Sequence, residues 1–346
     1  MRDYQQQINK RLNVHQQYIN YRAQGMHSGN VTFTDLHPKT SDTKQEILEG
    51  LAQEERAINP KYFYDEQGSR LFEAITELDE YYPSRTEVGI LSQNAAAIAQ
   101  ACGANCVLVE PGSGNCEKVR VLLDAVAPKA FVPMDISSSF LREAAEKLGG
   151  DFPWLQIHAV CADFNTHWSD MPALPAGRRI IFYPGSTIGN LEPDAACAFL
   201  AHMGDWMGED GGAIIGVDLH KPSDRLDAAY NDAQGITAAF NRNILSHVNR
   251  LLDAEFDVEL FAHRAFYNSN KRRIEMHLVS EQDQAVRCNG SVLHFHQGES
   301  IHTEYSYKYS IDEFANLAKK AGLHLSQSWV DKDQLFSVHY LQKSPA

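Results

Sequence analysis

The amino-acid sequence predicts an α/β protein: a doubly wound, mainly parallel sheet of seven strands with a second, smaller α+β unit inserted into it. Three observations carry the prediction. From residue 106 onward, short apolar runs alternate with helical stretches, the signature of a parallel sheet covered by helices. That rhythm breaks after Leu219, giving way to two helical stretches and several strand-like runs. The chain then ends in a helix and two runs that pair as an antiparallel hairpin.

Element by element, residues 1–40 are polar and weakly periodic, so that arm is unassigned. Ser41 and Asp42 are candidate N-caps for TKQEILEGLAQEE, and RLFEAITEL repeats its apolar spacing after the aromatic stretch KYFYDEQGS. Pro83 opens one long helical pattern, SRTEVGILSQNAAAIAQAC, which Gly103 stops. CVLVE, AFVPMD, LQIHAVCAD, RIIFYPG and GGAIIGVDL read as five strands. Helices follow Asn115, Ser137 and Glu192, and a longer connection precedes the fourth strand. After two more helical stretches, DRLDAAYNDA and GITAAFNRNILSHVNRLL, the runs AHRAFYN, KRRIEMHLVS, SVLHFH and HTEYSYKY read as strands of the inserted unit. SIDEFANLAKKAG is a capped helix with a glycine stop, and HLSQSWVD with LFSVHYLQK completes the sheet. The insertion thus spans residues 222–307, and the helices of 41–83, which have no sheet of their own, pack on it as a second domain. Residues 84–221 and 308–346 form the sheet domain.

With 346 residues, 43% of them apolar, the chain is long enough for two cores. A formal net charge of -14 disfavours nucleic acid and anionic membranes and makes a small molecule the expected partner. The first 30 residues hold no apolar targeting segment, and no run is long enough to span a bilayer, which points to the cytoplasm. Six cysteines without a CxxC pair read as reduced thiols, and the alternating His294 and His296 lack a third metal ligand, so no metal is expected. No partner-binding signal stands out, and a monomer is expected.

The first predicted strand runs into EPGSGNCEK, where glycines let the backbone approach a ligand at a helix N-terminus. A dinucleotide fingerprint would place a third glycine where Glu117 stands, which argues against a nicotinamide cofactor. A nucleoside cofactor without a pyrophosphate, such as S-adenosylmethionine, tolerates that loop. Asp135 follows the second strand, where a carboxylate accepts from ribose hydroxyls, and Asp163 follows the third, within reach of an adenine amino group. Gly112 and Gly114 also suit a plain turn, Lys118 a solvated helix position, and the two aspartates simple caps. Their joint occurrence along one sheet edge favours the cofactor. At the next strand end, FYPGSTIGNLEP combines two glycines, two hydroxyl residues and Asn190.

The strings KYFYDEQGSRLFEAITELDEYYPSRTE, EPGSGNCEKVRVLLDA, FYPGSTIGNLEP, DAAYNDAQGITAAFNRN, RRIEMHL and TEYSYKYS resemble the ergothioneine-pathway histidine N-alpha-methyltransferases, in the same order, over about residues 45–341. The resemblance implies a class I, Rossmann-like methyltransferase with an added substrate domain. It implies successive methyl transfer from S-adenosylmethionine to the α-amino group of histidine, ending at the trimethylated betaine, hercynine. Carried over, it places the cofactor on Gly112, Lys118, Asp135 and Asp163, and the substrate carboxylate on Asn190 and Tyr230. Glu304 and Ser306, alternate residues of one strand, meet the imidazole. Tyr64, Phe72, Tyr81, Gly185 and Met276 line the amino-group and ring pocket, and the proton that the amine must lose is relayed by Tyr64 or a bound water. Pro111 and Pro184 depart from the family, which carries other apolar or small residues there. The rival readings are a methyltransferase of the same build acting on another amino acid or amine, a nicotinamide-linked oxidoreductase, and a non-catalytic cofactor sensor.

Overall fold

The computed structural model describes residues 29–36, 40–164 and 174–344; residues 1–28 of the unassigned arm and part of the connection before the fourth predicted strand lie outside the described residues. The chain opens with β1 (Val31–Asp35) and the helices α1 (Thr40–Leu51), α2 (Glu66–Thr76), α3 (Tyr82–Gln93) and α4 (Ala95–Cys102). The alternating stretch comprises β2 (Val107–Pro111), α5 (Glu117–Val126), β3 (Ala130–Asp135), α6 (Ser138–Asp151), β4 (Gln156–Cys161), β5 (Arg179–Tyr183), α7 (Pro193–Met207) and β6 (Gly212–Asp218). Next come α8 (Ser223–Tyr230), α9 (Ile236–Leu252), β7 (Phe261–Asn268), β8 (Arg273–Ser280), β9 (Gln284–Cys288), β10 (Ser291–Phe295) and β11 (Ser300–Tyr307). Finally, α10 (Ile311–Lys320), β12 (Leu323–Val330) and β13 (Phe336–Lys343) close the chain.

Among the described residues the main sheet has eight strands, in the order β1-β4-β3-β2-β5-β6-β13-β12, not seven. β13 runs antiparallel to both β6 and β12, as the terminal hairpin predicts. The added strand, β1, joins parallel to β4 from Val31↔Ile157 to Asp35↔Cys161. Its VTFTD alternation is too short to stand out in a polar arm, and only the open edge of β4 gives it a partner. Adjacent residues serve opposite faces of the sheet. Leu108 packs with Leu122, Leu148 and Ile98 beneath α4, α5 and α6, whereas Val109 packs with Leu200, Met203 and Phe314 beneath α7 and α10. Burial on both faces is why β2, β3 and β6 are apolar almost throughout.

A third core joins α1, α2, α8 and α9 to β7–β11 through residues such as Ile47, Phe63, Leu245, Phe261 and Ile301. There β7, β8 and β11 form a three-stranded antiparallel sheet, and β9 with β10 forms a separate ribbon. β9 went unread in the sequence because QAVRC is short and flanked by polar residues. The signal was the Asn289-Gly290 pair: both residues have positive φ, 48° and 80°, and close a two-residue hairpin between Cys288 and Ser291.

Two local expectations are corrected. The long helix after Pro83 is two helices that meet at Asn94, whose φ of -112° and ψ of 13° leave the helical region; the Ile90 carbonyl accepts from both the backbone N–H of Asn94, at 3.1 Å, and its side chain, at 2.8 Å. α1 begins at Thr40, so Ser41 and Asp42 lie inside its first turn rather than capping it. At the other end of the chain, Ser310 and Glu313 form a full capping box on α10, and Gly322, with φ 78°, follows it. No helix among the described residues is long and apolar enough to cross a membrane.

Strand order reverses between β2 and β5, and the carboxyl ends of β2, β3, β5 and β6 share the edge where open α/β sheets bind ligands. The third core stands at that edge: its Tyr82 hydroxyl donates to both oxygens of Asp218 on β6, at 2.8 and 2.7 Å.

Candidate active site

The turn after β2 is held open by backbone conformation. Gly112 and Gly114 have φ of 70° and 52°, where a side chain would add strain, and Ser113 N–H donates to the Met134 carbonyl at 2.9 Å. Asp135, the last residue of β3, accepts from Gly114 N–H and Ser137 N–H, each at 2.9 Å. It therefore fastens the glycine turn to the start of α6. Burial raises its carboxyl pKa, opposed by these backbone donors. Asp163, beyond β4, is 3% exposed and pairs with Lys61 at 2.8 Å; Lys61 also reaches Glu46 at 2.6 Å.

Lys118 and Gly185 meet at a residue that the sequence reading missed. Glu87 on α3 is 1% exposed; it accepts from Lys118 Nζ at 2.8 Å and from Gly185 N–H through both oxygens at 2.9 Å. Its signal was a carboxylate on a buried helical stripe with Pro83, Ile90 and Leu91. Although Pro184 departs from the family, the Gly185 amide is anchored. Glu87→Ala should cost about 3 kcal/mol of stability, because it strands a partly buried ammonium and a buried N–H. Denaturant unfolding checks this, and a cofactor titration should show weaker binding as Lys118 and Gly185 shift together.

The other half of the site stands on β11 and β8. A bulge at Thr303 shifts the register, so that His302 pairs with His277 but Glu304 pairs with Met276. Thr303, Glu304 and Ser306 are all buried as a result. The 3-10 turn Thr187–Asn190 lies against the same strand, and Gly189 is what lets it approach: a Cβ there would lie 2.7 Å from the Tyr307 carbonyl. The approach brings Asn190 Nδ2 to 3.4 Å from Glu304 Oε2. Tyr230 hydroxyl meets Ser306 Oγ at 2.9 Å.

A cleft partly open to solvent is lined by Phe72, Tyr81, Tyr230, Phe240, Met276 and Glu304, among others. In its wall Phe72 meets Tyr81 edge-on at 6.3 Å and Tyr81 meets Tyr230 at 6.3 Å, and Tyr64, which does not line the cleft, packs edge-on against Phe72 at 5.8 Å. Burial pushes the Glu304 carboxyl up to about 7, with Lys308 pulling the other way. Burial also lifts the Tyr64 phenol well above its usual range, with the carboxylates of Glu304 and Asp135 adding to the effect. Tyr64 thus lies in the field of both halves and is neutral near pH 7.

A family model described as histidine-specific, S-adenosylmethionine-dependent methyltransferase matches residues 43–343. The chain belongs to this family. Among curated relatives, it is 42% identical over 294 residues to the histidine N-alpha-methyltransferase of Mycolicibacterium smegmatis, covering 83% of this chain and 91% of that protein. It is 29% identical to ergothioneine biosynthesis protein 1 of Neurospora crassa, covering 84% of this chain and 33% of that longer protein. A solved S-adenosylmethionine-dependent methyltransferase from Clostridium acetobutylicum aligns with a TM-score of 0.44 and 12% identity, over 80% of this chain and 96% of that one.

The residues at the sheet edge fit the family's cofactor. Glu110 Oε2, at the end of β2, is buried without a hydrogen-bond partner among the described residues, and burial holds its carboxyl well above the usual range. Burial favours the neutral acid at Glu110 in the free protein, and a cationic ligand beside this open glycine turn would favour its ionised form, while Asp135 adds acceptors for hydroxyls. The family's nucleoside sulfonium carries both kinds of group.

Proposed function

We propose that this protein methylates the α-amino group of L-histidine with S-adenosylmethionine, in successive transfers to the trimethylated betaine, as a step of ergothioneine synthesis. The observation that carries the reading is Glu304. It is a buried carboxylate with Ser306 on the same strand face, set at one side of an aromatic cleft that would otherwise suit any flat ring. A phenyl side chain would leave that carboxylate unpaired, and binding would suffer accordingly.

Gly112, Asp135 and Asp163, with Lys118 behind them, form the cofactor side, and the cofactor supplies an electrophilic methyl on a sulfonium. We assign residues 41–83 and 222–307 to the substrate-binding unit. Asn190 sits where a carboxylate can be held, next to Glu304, and Tyr230 stands beside it with its hydroxyl on Ser306. Phe72, Tyr81 and Met276 exclude water and hold the amine in line for displacement. A free amine is largely protonated at pH 7 and must release a proton before each transfer. Because burial keeps Tyr64 neutral, it passes that proton by accepting it at its oxygen while its own hydroxyl proton leaves to water, not by starting as a phenolate.

The test is mass spectrometry of histidine incubated with the protein and S-adenosylmethionine, with tryptophan and tyrosine in parallel. Successive methyl increments on histidine alone are expected. Absence of methylation on all three amino acids, with the cofactor demonstrably bound, would overturn the assignment.

A further inference from the structure

We propose that Lys308 is a positioning residue that turns the Ser306 and Tyr230 hydroxyls into a hydrogen-bond donor facing the substrate. The proposal rests on the histidine reading above. Lys308 follows β11 directly, with its side chain 1% exposed. Its Nζ lies 2.8 Å from Asp218 Oδ2, 2.7 Å from Ser306 Oγ and 3.4 Å from the Tyr230 hydroxyl. A lysine ammonium has three hydrogens and no lone pair, so these three oxygens use all of its capacity.

The hydrogens of this cluster can be counted. Both hydroxyl oxygens accept from Lys308, and the 2.9 Å contact between them consumes one of their two hydrogens. One hydroxyl hydrogen is left over, whichever way the Tyr230 to Ser306 bond runs, and it must point away from the triangle. Tyr230 lines the cleft with Glu304, and Ser306 shares Glu304's strand face, so on either oxygen the leftover hydrogen lies beside that carboxylate, which accepts. An acceptor next to a donor matches a ring with one N–H and one bare nitrogen, which is a neutral imidazole. Indole offers an N–H and no acceptor, and phenyl offers neither.

The anchor for this arrangement lies in the sheet domain. Asp218, at the end of β6, also binds the Tyr82 hydroxyl and Lys221 Nζ, the latter at 2.5 Å, and its own N–H donates to Ser186 Oγ at 2.9 Å. Lys308 is therefore held by a group fixed on several sides. Without Lys308, either hydroxyl is free to rotate and offer a lone pair to the ring nitrogen, which repels it.

The experiment measures histidine affinity by calorimetry on the full chain saturated with S-adenosylhomocysteine, together with steady-state kinetics. Lys308→Met is expected to raise the histidine Kd and KM about tenfold, with kcat changed less than about threefold and cofactor affinity unchanged. Lys308→Gln, which keeps two N–H donors, should recover part of the loss. In a Ser306→Ala/Tyr230→Phe background, Lys308→Met should add less than about twofold, because there is no hydroxyl left to orient. A purely structural role would instead lower both affinities and persist in that background. If Lys308→Met does not fold, Lys308→Gln carries the test, with an intermediate loss that disappears in the same background. Unchanged histidine affinity, or an equal loss in the double variant, overturns the proposal. No histidine binding by the unaltered protein refutes the substrate assignment and this proposal together, whereas binding that Lys308→Met leaves intact refutes this one alone.

Discussion

Glu304→Ala is expected to lower kcat/KM for histidine by about 10- to 100-fold, the worth of one hydrogen bond to a charged group in a buried site, while leaving cofactor affinity within about twofold. The asymmetry follows from position: Glu304 is on β11 with Asn190 as its side-chain neighbour, and the cofactor-side aspartates sit at the ends of sheet strands. Equal histidine kinetics in the two proteins would remove Glu304 from the site. The raised carboxyl pKa adds a signature in stability. Its folded value is about 7 against an ordinary 4.5, so the folded state holds the proton more tightly than the unfolded state. The contribution to stability is complete below about pH 4.5 and lost as pH rises through about 7. Glu304→Gln, which is neutral at every pH, should therefore melt at a higher temperature than the unaltered protein at pH 8 and gain little at pH 4. Calorimetric scans without ligands at the two pH values check the sign. A site that binds better than it folds is the expected trade at a buried recognition carboxylate.

Asp135→Ala should weaken cofactor binding by about 100-fold or more, the largest effect expected on that side of the site. The side chain has two tasks there. In the proposed site it would offer lone pairs to the ligand, and it ties Gly114 N–H and Ser137 N–H together. Truncation removes the first and leaves two amide donors without their acceptor, so the turn with φ of 70° and 52° at its glycines loses its main restraint. Asp135→Asn retains one acceptor but turns an N–H pair toward backbone donors, and it should lie close to Ala. Equilibrium titration with S-adenosylhomocysteine reads both variants. Wild-type affinity in either would show that the turn and the ligand do not depend on this carboxylate.

The elements that were readable in advance are those whose cause is local. The capping box of α10 is written in four residues, SIDE, and the alternating β/α order follows from apolar periods of a few residues. The same holds for the glycine turn after β2. Glu304 and Ser306 share a face for a local reason too, since they are two residues apart in one strand. Missed features had non-local causes or weak local ones. β1 exists as a strand because β4 has an open edge more than a hundred residues later, and the helix break at Asn94 is a one-residue departure from helical φ and ψ inside an otherwise continuous pattern.

The sequence by itself determined the sheet rhythm, the glycine turn, the order of the motifs and hence the family, because each depends on residue type over a short window. Only the tertiary structure decided which charges are buried and what they touch. Glu87 with Lys118 and Gly185, Lys61 with Asp163, and Lys308 with Asp218 each join segments from 31 to 102 residues apart. The inward turn of Glu304 likewise required the bulge at Thr303, visible only once β11 is paired with β8. A charge's partner is set by the packing that excludes water from both, and that packing belongs to the whole fold rather than to any one stretch of chain.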